Sequence, residues 1–300
     1  MTQRTVEFAK LSGSGNDFIC IDARDGWLDD LIADPDRVGH FARTLCNRGM
    51  SVGADGVIFA CPNEVGDFAD VCARFFEADG SETELCGNGV GCFVHWVNEN
   101  GWVRKCELKI LTPAGVVRGS DSDGEYVRAC IPDPEDMEQG FDLPVCGTTL
   151  ECDFVVTGIP HVITYVDDLS EVNVACLGPC MRHHARFQPR GANANFVQLL
   201  GQGRIALRTY EFGVEGETLA CGTGSAAAAI LSALRFGWDG EYATGAKPVL
   251  VRARSGEILK VSFIRHDDGR ITDVCLETIV RFVCRGTLHP DQVARAFDAR

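Results

Sequence analysis

The chain has 300 residues, of which 45% are hydrophobic and 24% are charged, and its formal net charge at pH 7 is −15. This length allows two domains, and the composition is ordinary for a globular enzyme. The negative charge argues against nucleic acid or an anionic membrane as partner. There is no apolar run of about 18 residues and no signal-peptide core at the start, so we expect a cytoplasmic location without a membrane span.

Fifteen cysteines are many for a chain without a secretory leader. Disulfides persist mainly in oxidising compartments, and reduced cysteines behave as small buried hydrophobic residues. We therefore expect mostly reduced thiols rather than a disulfide framework.

Strand patterns dominate the chain from its beginning. β-Branched and alternating runs, separated by turn residues, predict many short strands. The predicted strands are Thr5–Leu11, Phe18–Asp22, Gly56–Ala60, Val71–Phe76, Val103–Leu111, Tyr126–Ile131, Leu150–Val156, Val162–Val166, Asn195–Leu200, Ile205–Glu211, Val249–Arg254, Leu259–Arg265, Ile271–Leu276 and Val280–Cys284.

Three helices are predicted, over Pro35–Cys46, Asn88–Asn100 and Thr223–Phe236. The last two are each followed by a glycine, Gly101 or Gly237, as is typical of a helix end. Residues 225–234 are apolar nearly all round, which indicates a helix buried inside a sheet-walled domain.

These patterns predict an α+β fold of two β-rich domains, each wrapped around a central α-helix. The acidic, proline-broken stretch Pro132–Glu138 predicts the boundary. We expect the first domain to span residues 1–132 and the second to begin at residue 133.

Two nine-residue segments, Ser81–Gly89 and Gly216–Gly224, repeat the pattern Glu-Thr-x-x-Cys-Gly-x-Gly, so that Cys86 and Cys221 lie 135 residues apart. A single cysteine among fifteen would more often be a core residue. A repeated thiol at the start of two predicted helices is a much more specific signal. It places one thiol in each half of the chain, and so predicts that the two domains are pseudo-symmetric, with the active site in the cleft between them.

The chemistry of a helix start explains why thiols would stand there. Free backbone amides bind a carboxylate and lower the pKa of a nearby thiol, and glycines let the backbone approach the ligand. If the two thiols face each other, one removes an α-proton while the other protonates the opposite face. This predicts a two-base racemase that needs no cofactor, and no nucleotide-binding glycine motif occurs.

The quoted residues resemble the diaminopimelate epimerase family of pyridoxal-independent racemases and epimerases over nearly the whole chain. The landmarks are Phe8–Phe18, Arg48–Gly56, Ala78–Glu82, Cys86–Gly89, Pro160–His161, Gly191–Phe196, Tyr210–Glu211 and Cys221–Gly224. The resemblance implies that Cys86 and Cys221 are the catalytic pair and that Asn16 and His161 are site residues. It also implies a carboxylate cradle made by Gly87, Asn88, Gly222 and Thr223. By the same resemblance, residues of about 279–300 return to the first domain, so that residues 1–132 with about 279–300 form one domain and residues 133–278 the other.

The departures from the family pattern concern the far end of the substrate. In relatives acting on diaminopimelate, three asparagines and one arginine hold the distal carboxylate. Here Glu77, Ile159 and Phe212 stand at three of these positions, and only Asn193 remains. Glu211, which contacts the distal ammonium in the family, is retained. Because Glu77 and Phe212 each precede their cysteine by nine residues, we expect them to be equivalent positions of the repeat.

An unpaired distal carboxylate would cost several kcal/mol in such a pocket. We therefore expect a basic amino acid as substrate, namely lysine, ornithine, arginine or histidine. The alternative is diaminopimelate itself, with Arg74 or Arg208 compensating for the missing arginine. A further alternative is an isomerase acting on a non-amino-acid substrate.

Cys176 and Cys180 with His183 and His184 invite a zinc interpretation, but adjacent histidines converge poorly on one ion, and we expect no metal site. A non-catalytic thiol protein is the remaining class. The expected partner is a small-molecule amino-acid substrate rather than nucleic acid or membrane, and a homodimer is compatible with the sequence.

Overall fold

The computed structural model describes residues 5–63, 66–122, 125–238 and 240–298. The strands are β1 Glu7–Gly13, β2 Asn16–Asp22, β3 Gly56–Cys61, β4 Val71–Glu77, β5 Glu82–Thr83, β6 Leu108–Thr112, β7 Gly115–Asp121, β8 Tyr126–Cys130, β9 Glu135–Val145, β10 Thr148–Val156, β11 Pro160–Tyr165, β12 Asn193–Gly201, β13 Arg204–Glu211, β14 Gly216–Glu217, β15 Val249–Arg252, β16 Ile258–Arg265 and β17 Ile271–Thr287. The α-helices are α1 Asp29–Ile32, α2 Pro35–Cys46, α3 Gly87–Glu99, α4 Val174–Arg182, α5 Gly222–Arg235, α6 Gly240–Ala243 and α7 Pro290–Phe297.

The fold is α+β and divides into two compact units. The first comprises residues 1–127 and 280–300, and the second comprises residues 128–279. The boundary predicted from the proline-broken stretch lies a few residues later in the chain. Instead of a linker, Glu135 begins β9, whose first half is exposed. Among the described residues, no helix is long and apolar enough to cross a membrane.

The two units repeat the same sequence of strand pairings. In the first unit β1 pairs with β2 antiparallel, β2 with β3 parallel, β3 with β4 antiparallel, β4 with β6 parallel and β6 with β7 antiparallel. In the second unit the pairs β10–β11, β11–β12, β12–β13, β13–β15 and β15–β16 alternate in the same way. The pseudo-symmetry predicted from the repeated motif is therefore present in the strand order.

Each unit contains a helix that is buried on nearly all sides. Helix α3 packs against β1, β2 and β7, and α5 packs against β10, β12, β13, β15 and β16. Both helices are followed by a glycine in the left-handed region, Gly101 with φ 63° and Gly237 with φ 58°. Because the helices supply core volume, truncating Phe93 of α3 to alanine should cost about 3–5 kcal/mol. These two helices also place the two repeated thiols.

Most of the fifteen cysteines are free thiols, as expected, but two disulfides join the remaining four. Cys130 is bonded to Cys275, and Cys146 is bonded to Cys180. The first pair is 145 residues apart in sequence, yet the pairing of β8 with β17 brings the two Cα atoms to 3.9 Å. Proximity of this kind depends on strand register, which spacing along the chain does not reveal.

Candidate active site

Cys86 is the N-cap of α3, as the repeated motif predicts. Its extended backbone, with φ −131°, lets the sulfur accept a hydrogen bond from the Gly89 amide at 3.4 Å. Glycine at 89 avoids a close contact, because a Cβ there would lie 3.1 Å from the Phe75 ring. The thiol is half-buried, and its sulfur lies 3.8 Å from Oδ1 of Asn16. The site thus combines a sulfur with the amide end of a helix.

Asn16 is held in place by a hydrogen-bonded network of Asp55, Arg48 and Asp17 in the same unit. Its side-chain amide donates to Oδ2 of Asp55 at 3.0 Å, which leaves Oδ1 directed toward the thiol. Arg48 in turn bonds Asp55 at 2.8 Å and Asp17 at 2.5 Å. This network explains physically why the predicted landmarks around residues 16 and 48–56 belong together.

Cys221 caps α5 with the same geometry but in a different environment. The Gly224 amide donates to its sulfur at 3.4 Å, and φ is −122°. The thiol is buried and donates to Oε1 of Glu211 at 3.3 Å. Burial raises its pKa well above the usual value, and the nearby negative charge of Glu211 adds to this. Cys221 is therefore protonated at neutral pH.

A polar chain adjoins Cys221 on the side of Thr223. The Thr223 hydroxyl lies 3.7 Å from the sulfur and 3.0 Å from Nε2 of His161. The other imidazole nitrogen lies 3.1 Å from the side-chain nitrogen of Asn195. Because His161 is completely buried, its pKa falls to about 3, and the ring is neutral.

The predicted carboxylate cradle occupies the first turns of the two helices. Gly87 and Asn88 begin α3, and Gly222 and Thr223 begin α5. The first amides of a helix have no intrahelical acceptor, so both turns can bind an anion. The Thr223 carbonyl is fixed by a 3.0 Å bond from the Thr157 hydroxyl. Each unit therefore carries its own combination of thiol and amides.

The four positions predicted to contact the far end of the substrate lie in both units. Glu77 ends β4 and is half-buried, and Ile159 is half-buried just before β11. Asn193 is buried at the start of β12 and accepts from the Phe212 amide at 2.7 Å. Phe212 itself is 42% exposed. In the second unit, Asn193, Glu211 and Phe212 lie together at the end of β13.

Strand register corrects the expected equivalence of Glu77 and Phe212. Phe76 pairs with Glu82 in the first unit, and Tyr210 pairs with Glu217 in the second. The residue after Phe76 is Glu77, and the residue after Tyr210 is Glu211. Glu77 therefore corresponds to Glu211. Counting back from the cysteines failed because the second loop is one residue longer.

The two arginines named as possible replacements for the missing arginine are engaged elsewhere. Arg74 bonds Glu82 at 2.6 and 2.7 Å and the Ile32 carbonyl at 2.8 Å. Arg208 bonds Glu217 at 2.6 and 2.9 Å and two carbonyls, those of Leu169 and Val172. The two bidentate pairs occupy equivalent positions in the two units. Each stabilises the segment that leads to its cysteine, because Glu82 precedes Cys86 and Glu217 precedes Cys221.

Arg182 is a residue that the sequence analysis missed. It ends α4, is 4% exposed, and lies with its guanidinium carbon 4.4 Å from the Phe212 ring centre. One terminal nitrogen contacts Glu215 at 3.2 Å and the other donates to the Arg190 carbonyl at 3.0 Å. Among the described residues, its Nε and the Nδ2 of Asn193 are buried without a hydrogen-bond partner. Nothing in the local sequence marks Arg182 as buried.

The cysteine–histidine segment does not form a metal centre. Cys180 is bonded to Cys146, and His183 lies 3.1 Å from Oε2 of Glu215. Across the ranges that the structure describes, no group of three or more His, Cys, Asp or Glu side chains could hold a metal ion.

Comparisons with known proteins show which family the chain belongs to. The family model for diaminopimelate epimerase matches residues 8–128 and 154–272. A diaminopimelate epimerase of Aquifex aeolicus is 41% identical over 86% of this chain and 90% of its own length. One of Chlorobaculum tepidum is 36% identical over 93% of this chain and 99% of its own.

Solved structures show the same fold at low sequence identity. A hydroxyproline epimerase from Agrobacterium vitis has a TM-score of 0.73 at 14% identity and covers 96% of this chain and 93% of its own. A phenazine biosynthesis protein of the PhzF family from Bacillus anthracis has a TM-score of 0.70 at 15% identity, covering 95% and 99%. Sequence and fold agree that this chain is an isomerase of the racemase and epimerase class and belongs to the diaminopimelate epimerase family.

Proposed function

We propose that the chain inverts the α-carbon of an amino acid by proton transfer between two thiols, Cys86 and Cys221, acting on opposite faces of the substrate. The observation that carries this proposal is the repeated geometry, in which each sulfur accepts the third amide of its helix at 3.4 Å. Two thiols capped alike on two buried helices are expected of a pair that exchanges roles. The sequence repeat predicts two thiols at helix starts, but it does not predict the hydrogen bond from the third amide to each sulfur.

In the proposed reaction, a thiolate takes the α-proton and the opposite thiol delivers a proton to the other face. The charge that develops flows into the substrate carboxylate. Amides of residues 87, 88, 222 and 223 would stabilise it, because the first turn of a helix offers preorganised donors. Asn16 and His161 support the two thiols from their own units.

Cys221 enters the cycle as the proton donor, because burial and the Glu211 charge keep it protonated. Cys86 is then the base for the enantiomer whose α-hydrogen faces it, and the roles are reversed for the other enantiomer. Once Cys221 has given up its proton, its thiolate lies beside the Glu211 carboxylate. That repulsion favours prompt reprotonation of Cys221.

The substrate we propose is diaminopimelate. Relatives of 36–41% identity are named diaminopimelate epimerase. The Arg182 cation beside Phe212, and the unpaired donors of Arg182 and Asn193, could accept a distal carboxylate despite the loss of the arginine at 212. Glu211 would then contact the distal ammonium.

A basic amino acid is the second candidate, favoured by the side chains present at three positions. Glu77 adds a carboxylate, while Ile159 and Phe212 add apolar surface. Such a pocket suits a cationic, partly apolar side chain of lysine, ornithine, arginine or histidine. Phe212 could stack on a cation, although Arg182 already covers part of that ring.

The decisive experiment is α-proton exchange in heavy water. Reduced protein would be incubated separately with diaminopimelate, lysine, ornithine, arginine, histidine and alanine, and proton NMR would follow each α-proton. We expect fastest exchange with diaminopimelate. Faster exchange with a basic amino acid would reject diaminopimelate, and no exchange with any would favour a non-amino-acid substrate.

Matched variants test the substrate assignment. Arg182→Met should raise the KM for diaminopimelate about tenfold or more while leaving that for lysine nearly unchanged, because only the former has a distal carboxylate. The triple variant Glu77→Asn, Ile159→Asn, Phe212→Arg should further favour diaminopimelate. Equal effects of Arg182→Met on both substrates would remove Arg182 from the recognition of the carboxylate.

A further inference from the structure

We infer that Asn195 is a positioning residue that fixes the tautomer of His161 and thereby aims the Thr223 hydroxyl at Cys221. The inference deepens the proposed function and rests on it. It depends on which atoms donate and which accept hydrogen bonds along a buried series of side chains that runs from β12 to the Cys221 sulfur.

The orientation of the Asn195 amide is determined by its neighbours. Its Nδ2 lies 3.1 Å from the carbonyl oxygens of Val162 and Asn193, which can only accept. Its Oδ1 accepts from the Thr209 hydroxyl at 3.0 Å. The nitrogen that faces His161 Nδ1 at 3.1 Å is therefore an NH2 group, whose two hydrogens are shared among three acceptors. Because an amide nitrogen cannot accept a hydrogen bond, a proton on Nδ1 would have no acceptor there, and Nδ1 is the unprotonated nitrogen.

The state of His161 follows from this contact. A ring whose pKa is lowered to about 3 by burial is neutral at physiological pH and carries one proton. With Nδ1 unprotonated, the proton is on Nε2, which donates to the Thr223 oxygen at 3.0 Å. The imidazole therefore acts as a fixed donor rather than as a base.

The Thr223 hydroxyl, having accepted from His161, has its own hydrogen left to donate. The Cys221 sulfur lies 3.7 Å away, within range of a weak hydrogen bond. When Cys221 loses its proton, this hydroxyl can stabilise the thiolate against the charge of Glu211. Gly224 permits the arrangement, because a Cβ there would lie 2.7 Å from Oδ1 of Asn195.

The first unit supplies the argument that the polar chain is not needed for folding. Phe18 of β2 pairs with Gly56 of β3 in the first unit, and the corresponding pair in the second unit is His161 of β11 with Asn193 of β12. In the same way, the pair of Ile58 with Phe75 in the first unit corresponds to the pair of Asn195 with Thr209 in the second. The same frame therefore accommodates Phe18, Ile58 and Phe75 where the second unit has histidine, asparagine and threonine.

Buried apolar residues satisfy this frame without any hydrogen bonds, whereas buried polar groups cost free energy unless all are paired. Their presence beside only one of the two thiols points to a role in the chemistry of Cys221. The comparison makes the inference specific to the second unit.

The test is Asn195→Asp, which replaces a donor by an acceptor of the same shape. The carboxylate should draw the imidazole proton to Nδ1, so that Nε2 accepts from Thr223 and the hydroxyl no longer points at the sulfur. Nitrogen-15 NMR should show the change of tautomer, and kcat should fall about 100-fold or more with little change in KM. An unchanged tautomer, or a changed tautomer with kcat within twofold of wild type, would overturn the inference.

A second pair of variants covers the case in which Asn195→Asp fails to fold. Thr223→Val should lower kcat similarly, whereas Thr223→Ser should retain most activity, because only serine keeps the hydroxyl. Equal activities of the two would also reject the inference. Asn173→Asp is the control, because either side chain can cap α4 and kcat should stay within twofold. The tautomer measurement on wild type needs no turnover, so it remains decisive if no substrate is found.

Discussion

The two thiol sites share one helix-cap geometry and differ in the side chains that surround the sulfur. Cys86 is half-buried beside Asn16, while Cys221 is buried beside Glu211 and Thr223. The helix caps are alike to 0.1 Å in their amide–sulfur distances. The difference teaches that the two halves share the helix cap that positions the sulfur, while the side chains that can shift the pKa of each thiol differ. We expect the two thiols to be equally necessary but unequal in reactivity.

Replacing either thiol gives the largest expected effect. Cys86→Ser and Cys221→Ser should each lower inversion by about 1,000-fold or more, because each removes a group that no neighbour replaces. Polarimetry or chiral chromatography would measure inversion. Cys106→Ser, at an exposed cysteine, is the control. If one of the two variants kept substantial inversion, the two-thiol interpretation would be wrong.

Acid should destabilise the second unit through His161. In the unfolded chain histidine has a pKa near 6.5, whereas in the folded chain the pKa of His161 is lowered to about 3. The unfolded state therefore binds the proton first, and stability present above pH 6.5 is lost as the pH falls toward 3, by roughly 3–5 kcal/mol.

Urea unfolding of wild type and His161→Gln across this pH range would measure that loss. The variant should have a visibly weaker dependence on pH. Parallel pH profiles for the two proteins would mean that His161 is protonated or accessible in the folded state.

Removing Glu211 should reduce the contrast in reactivity between the two thiols. Glu211→Gln takes away a negative charge that raises the pKa of Cys221, so the thiolate fraction at neutral pH should rise. Alkylation of Cys221 by iodoacetamide, followed by peptide mass spectrometry, should accelerate about tenfold, while kcat falls. The exposed Glu138→Gln is the control. Unchanged alkylation would show that burial alone sets the reactivity.

Arg208 and Arg74 should contribute unequally to stability. Arg208 bonds two carbonyls and a Glu217 carboxylate that is only 13% exposed, whereas Arg74 bonds one carbonyl and a more exposed Glu82. We expect Arg208→Met to cost about 2–3 kcal/mol and Arg74→Met about 1–2 kcal/mol. Urea midpoints would compare them, and a larger loss for Arg74→Met would contradict the ranking.

Substitutions of the glycines that follow α3 and α5 should have the smallest effects on stability, and the two effects should be similar. Gly101→Ala and Gly237→Ala each place a Cβ at positive φ, at a cost of about 1 kcal/mol. Neither position has another atom within 4 Å of that Cβ, so only the backbone term acts. Thermal unfolding should show similar shifts for both. A large difference would reveal an additional constraint at one helix end.

The sequence predicted the elements that carry strong local signals. The bounds of α2 are those expected, because Asp34 caps it and Pro35 opens it. The starts of α3 and α5 followed from the thiol motif. Helix α4 was missed because Gly178 and Pro179 read as a turn, although Asn173 caps it and Pro179 lies inside. Local signals also placed a break between the strand runs at residues 276 and 280, where β17 is continuous.

The parts of the site that were not predictable depend on tertiary contacts. Arg182 would ordinarily be exposed, and it is buried through tertiary packing that includes the Phe212 ring. Asn195 lay within a recognised landmark, but its role depends on the register of β11 with β12. The equivalence of Glu77 with Glu211 likewise required strand pairing, since a single inserted residue defeats counting.

The course of β17 has a consequence for the order in which the protein can be assembled. This strand leaves the second unit near residue 279 and pairs with β1 of the first over residues 280–287. During synthesis, every residue of the unit that carries Cys221 emerges before that strand segment does, so this unit can fold while the chain is still growing. The unit that carries Cys86, although its sequence begins first, can be completed only last.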